Sequence, residues 1–459
     1  ESLAIDPLQM GCLYEESRRT GTPEVWRTVM RQEAHNYLDL ALHYAKAGLL
    51  EEAVEILQAC PEQSPMPSYY EGYLHGLAGD EAAARACCLR AEHLPAPRCY
   101  PNRVEEIAIL EYAIRLLGRA PRAHALLGCL LYDKKQADAA IAHWEASVQQ
   151  DPGQALVHRN LAIARYNKQG DADAALREME QARRLDPGYP RLLLEYDQLA
   201  ARLGRSNAAR LQLLEENLAL VEQRDDLMLR YVTLLNCEGR CEEALQILLT
   251  RRFHPWEGGE GKVSAQYRYA LIRLAKDCLN RGENDRAVQL LEQSKTYPDT
   301  LGEGKLPNVP DNEADYWQGV ALRAMGREPE AAAAFLRAAS GPQEPGRVLY
   351  YNDQPSDFIY YQGLAQRAMG NEAAARKAFH KLLTYGETHL FDAVAYDFFA
   401  VSLPEIEVFA DDIALRNRQY CNYLRALGCA GLGRTSEAAE LFAGILELQP
   451  DDQGALRHA

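Results

Sequence analysis

The residues best suited to recognition chemistry lie in three short stretches that interrupt an otherwise helical pattern. The first reads Phe253-His254-Pro255-Trp256-Glu257-Gly258-Gly259-Glu260-Gly261-Lys262, and Gly302-Glu303-Gly304-Lys305 repeats its Gly-Glu-Gly-Lys ending. The third is Tyr350-Tyr351-Asn352-Asp353. Aromatic rings beside carboxylates, amides and ammonium groups suit a sugar or an extended peptide. The expected ligand- or partner-binding residues are therefore Phe253, His254, Trp256, Glu260, Lys262, Glu303, Lys305, Tyr350, Tyr351 and Asn352. A plainer reading stands beside this one: Phe253 and Trp256 fold back onto the helices, and the glycines only permit turns.

More reactive arrangements fail on spacing. Gly261-Lys262 is followed by Val263, and no glycine precedes it at the distance a phosphate-binding loop needs. No Gly-x-Ser-x-Gly elbow occurs. Carboxylates are plentiful, but paired-acid catalysis depends on a separation that sequence does not give. His35, His43, His124, His143 and His158 fall on predicted helices and read as packing residues; His254 and His389 lie in interrupting segments and are the ones to test. The 11 cysteines are odd in number and scattered, with Cys87, Cys88, Cys278 and Cys429 inside predicted helices. They read as buried free thiols of a reducing compartment. Cys237 and Cys241 straddle Gly239 without paired histidines, so they do not read as a metal site. No catalytic residue, metal or cofactor is expected.

The elements that must position these stretches announce themselves by a recurring turn. A glycine closes one small-residue-rich helix, and an alanine-centred helix follows, at Gly48, Gly79, Gly170, Gly204, Gly239, Gly282, Gly326, Gly370 and Gly433. From Gly170 the steps are 34, 35, 43, 44, 44 and 63 residues. A period in this range means a solenoid of helix pairs, none of which can bury its apolar face alone. A core that grows lengthwise also lets 459 residues form one continuous array. Between Pro121 and Gln154, the residues His124, Leu127, Gly128, Leu131, Ala140, Trp144 and Pro152 take places four, seven, eight, eleven, twenty, twenty-four and thirty-two. Similar sets recur, as in Tyr37, Leu40, Ala41, Tyr44, Ala53 and Leu57, or Gly319, Leu322, Ala331 and Phe335, or Gly363, Ala375 and Phe379.

This pattern resembles the tetratricopeptide repeat. The resemblance implies an all-α fold, a right-handed superhelical α-solenoid of tetratricopeptide-like helix pairs with inserted inter-repeat loops. Small residues at places eight and twenty would let the two helices approach, and Asp80, Asp171 or Asn371 would cap second helices. The expected organisation is residues 1–33 as a repeat tail with lead-in helices, 34–91 as repeats, and 92–120 as a degenerate repeat. Regular repeats follow over 121–251, and repeats with long insertions over 252–459. The insertions, near 252–262, 296–311, 340–355 and 385–412, all fall between one pair and the next. In such a stack they would line one edge while first helices line the concave face. The last insertion, with Phe391, Tyr396, Phe398, Phe399, Phe409 and Pro404, reads as an extra packed helix plus a loop.

Further features bear on partners. A net charge of −16 argues against nucleic acid or an anionic membrane surface and fits either plain solubility or an acidic groove for a basic partner. No apolar run approaches the ~18 residues of a membrane span. Leu3-Ala4-Ile5-Asp6-Pro7 is similar to the repeat ends at Arg184–Pro187 and Glu447–Pro450, as in the C-terminal part of a longer protein. Asp451 to Ala459 is too short for a full terminal cap, so an exposed end would favour self-pairing. The expectation is a non-catalytic cytoplasmic scaffold for a protein or peptide partner, including a second copy of itself or an upstream β-rich domain. The alternative comes from a second resemblance. Tyr360 to Leu456, with the Trp256–Lys262 and Leu301–Lys305 loops, resembles an uncharacterised bacterial family in which a β-rich, carbohydrate-related module precedes the repeats. That implies the accessory half of a carbohydrate-active enzyme, its loops completing a sugar site.

Overall fold

Nine turn glycines set the rhythm of the chain. In the computed structural model each has a positive φ, between 63° at Gly204 and 86° at Gly79, the left-handed backbone that ends a helix without a Cβ penalty. The structure describes residues 2–458 except 62, 97–98, 255, 257, 351–352 and 397–407. Every regular element among the described residues is a helix, and none of these is long and apolar enough to cross a membrane. One turn lacks glycine. Between Pro121–Asp133 and Ala137–Gln150 the left-handed position is held by Lys135, at φ 63°.

Packing within a pair depends on place eight. A Cβ on Gly128 would lie 2.5 Å from the Trp144 ring, one on Gly319 2.6 Å from Phe335, and one on Gly363 2.5 Å from Phe379. In these three pairs the glycine makes room for the aromatic ring of place twenty-four, while a Cβ on Gly72 would meet Cys88 Sγ at 2.5 Å and Ala84 O, of place twenty, at 3.0 Å. Asp80 and Asp171 accept hydrogen bonds from the backbone N–H of Ala83 and Ala174, so both cap as expected. Asn371 does not: its amide donates to Gln366 Oε1 instead.

The chain forms two compact units, Glu1–Asp186 and Pro187–Ala459. The first unit pairs Ala34–Lys46 with Leu50–Gln58, Pro65–Leu77 with Glu81–His93, and Pro121–Asp133 with Ala137–Gln150. A lone helix, Glu105–Leu117, lies between the second and third pairs, and a fourth pairs Ala155–Ala164 with Ala172–Leu185. The second unit holds six pairs. They are Pro190–Arg202 with Asn207–Glu215, Asp225–Cys237 with Cys241–Thr250, and Lys262–Asn280 with Asn284–Gln293. Asn312–Ala324 with Glu328–Ala338, Phe358–Ala368 with Glu372–His389, and Ile413–Gly431 with Thr435–Leu448 complete the set. Gln453–His458 follows as a short unpaired helix.

The fold is an all-α solenoid of tetratricopeptide-like helix pairs with inserted segments. Continuous apolar cores run through each unit, in the second from Leu193 to Ala321 and again from Phe358 to Ala455. All eleven cysteines are free. In the fourth insertion the second helix of the fifth pair runs on to His389, Phe391 is exposed and Phe409 is buried. Phe398, Phe399 and Pro404, which carried the expectation of an extra helix, lie outside the described residues.

Candidate functional site

The sequence-derived residues fall into two neighbourhoods. Phe253 is 1% exposed in the core of the second unit, its N–H donating to Thr300 O. Trp256 packs on the same core and against Gly259, where a Cβ would sit 2.1 Å from the indole. Glu303 reaches across from the second insertion and accepts from the N–H groups of Gly261 and Ser264, at 2.7 and 3.1 Å. Its carboxylate thus sits on the exposed amides that open the Lys262–Asn280 helix. Glu260 accepts from Gly258 N–H, and Lys305 holds both Asp311 oxygens at 2.6 Å. Lys262 is half-buried, and His254 is exposed with its ring 3.0 Å from Asp225. Tyr350 stands elsewhere, its N–H on Asp353 and its ring 6.4 Å from that of Tyr396. Tyr351 and Asn352 lie outside the described residues. Glu303 thus fixes the second insertion to the first, while Glu260 and Lys305 tie down their own loops.

A denser constellation lies on the first helices of the second unit, joined by the second helix of its first pair, where the segment after the sixth pair runs back across the earlier pairs. Asn207, from the first pair, donates to Pro450 O at 2.7 Å. Asp451 then enters a charge cluster. Arg210, 3% exposed, forks onto Asp197 at 2.8 and 3.1 Å and gives its remaining terminal nitrogen to Asp451 at 2.9 Å. Arg230 bonds Asp197 at 2.7 Å and Asp451 at 3.4 Å. Burial alone would raise the Asp197 carboxyl, but the two guanidinium groups outweigh it and hold it below its ordinary range.

Further along, Gln453 exchanges amide hydrogen bonds with Gln266 at 2.8 and 3.0 Å. Asp452 caps the short helix through Ala455 N–H, and Ala455 is fully buried among the residues of the last two pairs. Gln266, Tyr269 and Lys276 project from one face of a single helix, since three- and seven-residue steps return to the same side.

Arg457 meets the most elaborate surroundings. It donates to Glu313 Oε2 at 2.7 Å, lies 3.7 Å from Asp357 Oδ2, and stands over the Tyr269 ring with its guanidinium carbon 5.2 Å from the centroid. Both acids are held from behind, Glu313 by Tyr361 Oη at 2.7 Å and Asp357 by Tyr423 Oη at 3.2 Å. Burial opposes ionisation of Glu313, but Arg457 and the Tyr361 hydroxyl outweigh it and keep this carboxyl low. Asp357 is pushed up by burial, with the Glu313 charge adding to it. Lys276, pushed down by burial, rests 5.1 Å from the Trp317 ring centroid and 3.5 Å from Arg457 O. His458 stacks on Phe442 at 6.0 Å with a 19° tilt and packs near Tyr360, Tyr361 and Tyr423. Burial lowers its imidazole to about 3.

This arrangement can do recognition chemistry: two arginines for a carboxylate, two carboxylates and a ring for a guanidinium, and an amide pair between. The sequence reading passed over it because the contributing residues are spread from Asp197 to His458 and no single helix among them carries a recognisable motif. No cluster of three or more His, Cys, Asp or Glu side chains fit to hold a metal occurs among the described residues.

Comparison with known proteins adds one repeat. The tetratricopeptide repeat family model matches residues 357–385, the helix–turn–helix around Gly370. Among solved structures, residues 41 to the end of MamA from Desulfovibrio magneticus are 19% identical. The match covers 42% of this chain and 96% of that one, at a TM-score of 0.24. A tetratricopeptide repeat protein from Parabacteroides merdae is 16% identical over 66% of this chain and all of its own, with a TM-score of 0.28. The TPR domain of P58(IPK) is 12% identical over 91% and 98%, at 0.27.

Proposed function

We propose that this chain is a helical-repeat scaffold that recognises a segment of a protein partner along the first helices of its second unit. The observation that carries this reading is the seating of Asp451–His458, a short segment whose Asp451, Gln453 and Arg457 side chains are met by matched groups from the first, third and fourth helix pairs. Matched polar groups spaced along a rigid face are how repeat scaffolds read short peptides, because the helices hold the groups in place before the ligand arrives. The reading needs no catalysis.

Panning a displayed random-peptide library against the full chain, and against the full chain with the seated segment released by Asp451→Asn and Arg457→Ala, tests it. Enriched peptides are expected to share an acidic residue and an arginine. Their binding should fall at least tenfold with Arg230→Gln or Glu313→Gln and stay unchanged with His254→Ala. An enriched set indifferent to both first-helix substitutions, or no enriched set on either chain, would remove the reading.

A further inference from the structure

The seated segment is itself unusual in how it is held. Asp451 and Arg457 stand six residues apart, and each enters a cluster that is incomplete without it. Arg210, buried, has acceptors from Asp197 for two of its nitrogens and from Asp451 for the third. Glu313 and Asp357, both on the opposite end of the face, are met by tyrosine hydroxyls and by the Arg457 guanidinium. A face left with an unanswered arginine at one end and two carboxylates at the other selects an occupant of opposite pattern, since unpaired buried charge is costly.

The same physics makes that occupant exchangeable. Ion pairs formed out of water return little more than their desolvation cost, so a segment seated through Asp451, Gln453 and Arg457 is held less firmly than its list of bonds suggests. Only Ala455 among its side chains is fully buried and apolar. A permanent structural plug would instead bury large hydrophobic side chains, as the helix pairs do with Phe335, Phe379 and Phe442.

We infer that residues 450–458 are an internal ligand of the peptide-binding face, displaced by a partner segment that carries an acidic residue, a glutamine two positions later and an arginine six positions later. This rests on the peptide-recognition reading above and names what that face reads and what guards it. Tethering through Gln449 supplies the internal copy at an effective concentration on the order of millimolar, so a free peptide binds well only when the internal copy is weakened.

The test uses the full chain and a labelled, end-blocked peptide of residues 449–458, followed by fluorescence anisotropy. The chain carrying Asp451→Asn and Arg457→Ala should bind the peptide at least tenfold more tightly than the unsubstituted chain. Binding should be lost when the arginine of the peptide becomes alanine, or when Glu313→Gln is added to the released chain. Equal binding by the two chains overturns the inference, and so does no binding by a released chain that still melts cooperatively. Loss of helicity or cooperative melting on release also overturns it, because the segment would then be part of the fold. Panning that enriches peptides dependent on Glu313, with no gain on release, removes the internal ligand and leaves the recognition reading in place.

Discussion

Glu313 and Arg457 form the contact on which the seating of the segment turns, and their energies should not add. Either substitution, Glu313→Gln or Arg457→Ala, leaves a mostly buried charge without its partner, and each is expected to cost about 2–3 kcal/mol in chemical denaturation. An undocked segment has no more contact to lose, so the double variant should cost no more than the worse single one. Additive losses in this double-mutant cycle would mean that the two residues act apart. His458 gives a second handle. Its ordinary value near 6.5 is lowered to about 3 in the seated state by burial, with Glu313, Arg457, Lys276, Tyr360, Tyr361, Tyr423 and Phe442 around it. Above pH 6.5 the ring is neutral whether seated or not, and docking is at full strength. Between 6.5 and 3 only the released ring takes up a proton, so docking weakens as pH falls, by up to about tenfold per unit. Glu313, held low, weakens docking in the same direction below about 4.5, while Asp357, held high, opposes it. Hydrogen exchange of the segment should therefore speed up between pH 7 and pH 5.5, corrected for intrinsic rate, and His458→Gln should flatten that change. An unchanged profile in the variant would assign the dependence to another group.

At the scale of the helix pair, turn and interface were legible in the sequence for different reasons. The glycine turns were legible because left-handed backbone admits few residues, so one residue type repeats wherever the geometry repeats. The interface was only half legible, since the small residue at place eight was evident but the ring it accommodates was not. Gly363→Ala drives a Cβ to 2.5 Å from Phe379 and should cost about 1–3 kcal/mol by thermal or chemical melting. A neutral effect would show that the pair can open to admit a methyl group. Lys135 offers the converse. It strains a position that glycine fills elsewhere, so Lys135→Gly is expected to raise stability by about 0.5–1 kcal/mol. A loss would mean that the lysine side chain contributes more than its backbone strain costs. The inserted stretches were misleading at this scale because sequence does not reveal internal partners. Glu303 and Lys305 looked like groups offered to a ligand, yet one caps a helix and the other pairs with Asp311.

Across the second unit, the helical-repeat architecture could be read from periodicity, but the site could not. Periodicity reports contacts between neighbours in the chain, and Asp451 meets Arg210 across 241 residues. The segment read as an incomplete cap because it is short, and it lacks the apolar spacing that marks a packed element. The first pair approaches the sixth within the unit, with Arg202 donating to Ala410 O and the backbone at Glu447 close to Gly204. That approach brings the segment back over the earlier helices and lets one stretch of chain touch all six pairs. Hydrogen–deuterium exchange of the full chain, with and without saturating 449–458 peptide, addresses this directly when read on fragments that begin before residue 449. Displacement predicts that amides of 453–458 lose protection as the peptide is added, while the helix bearing Gln266 and Lys276 keeps its own. Unchanged protection of 453–458 at peptide concentrations well above millimolar would contradict it.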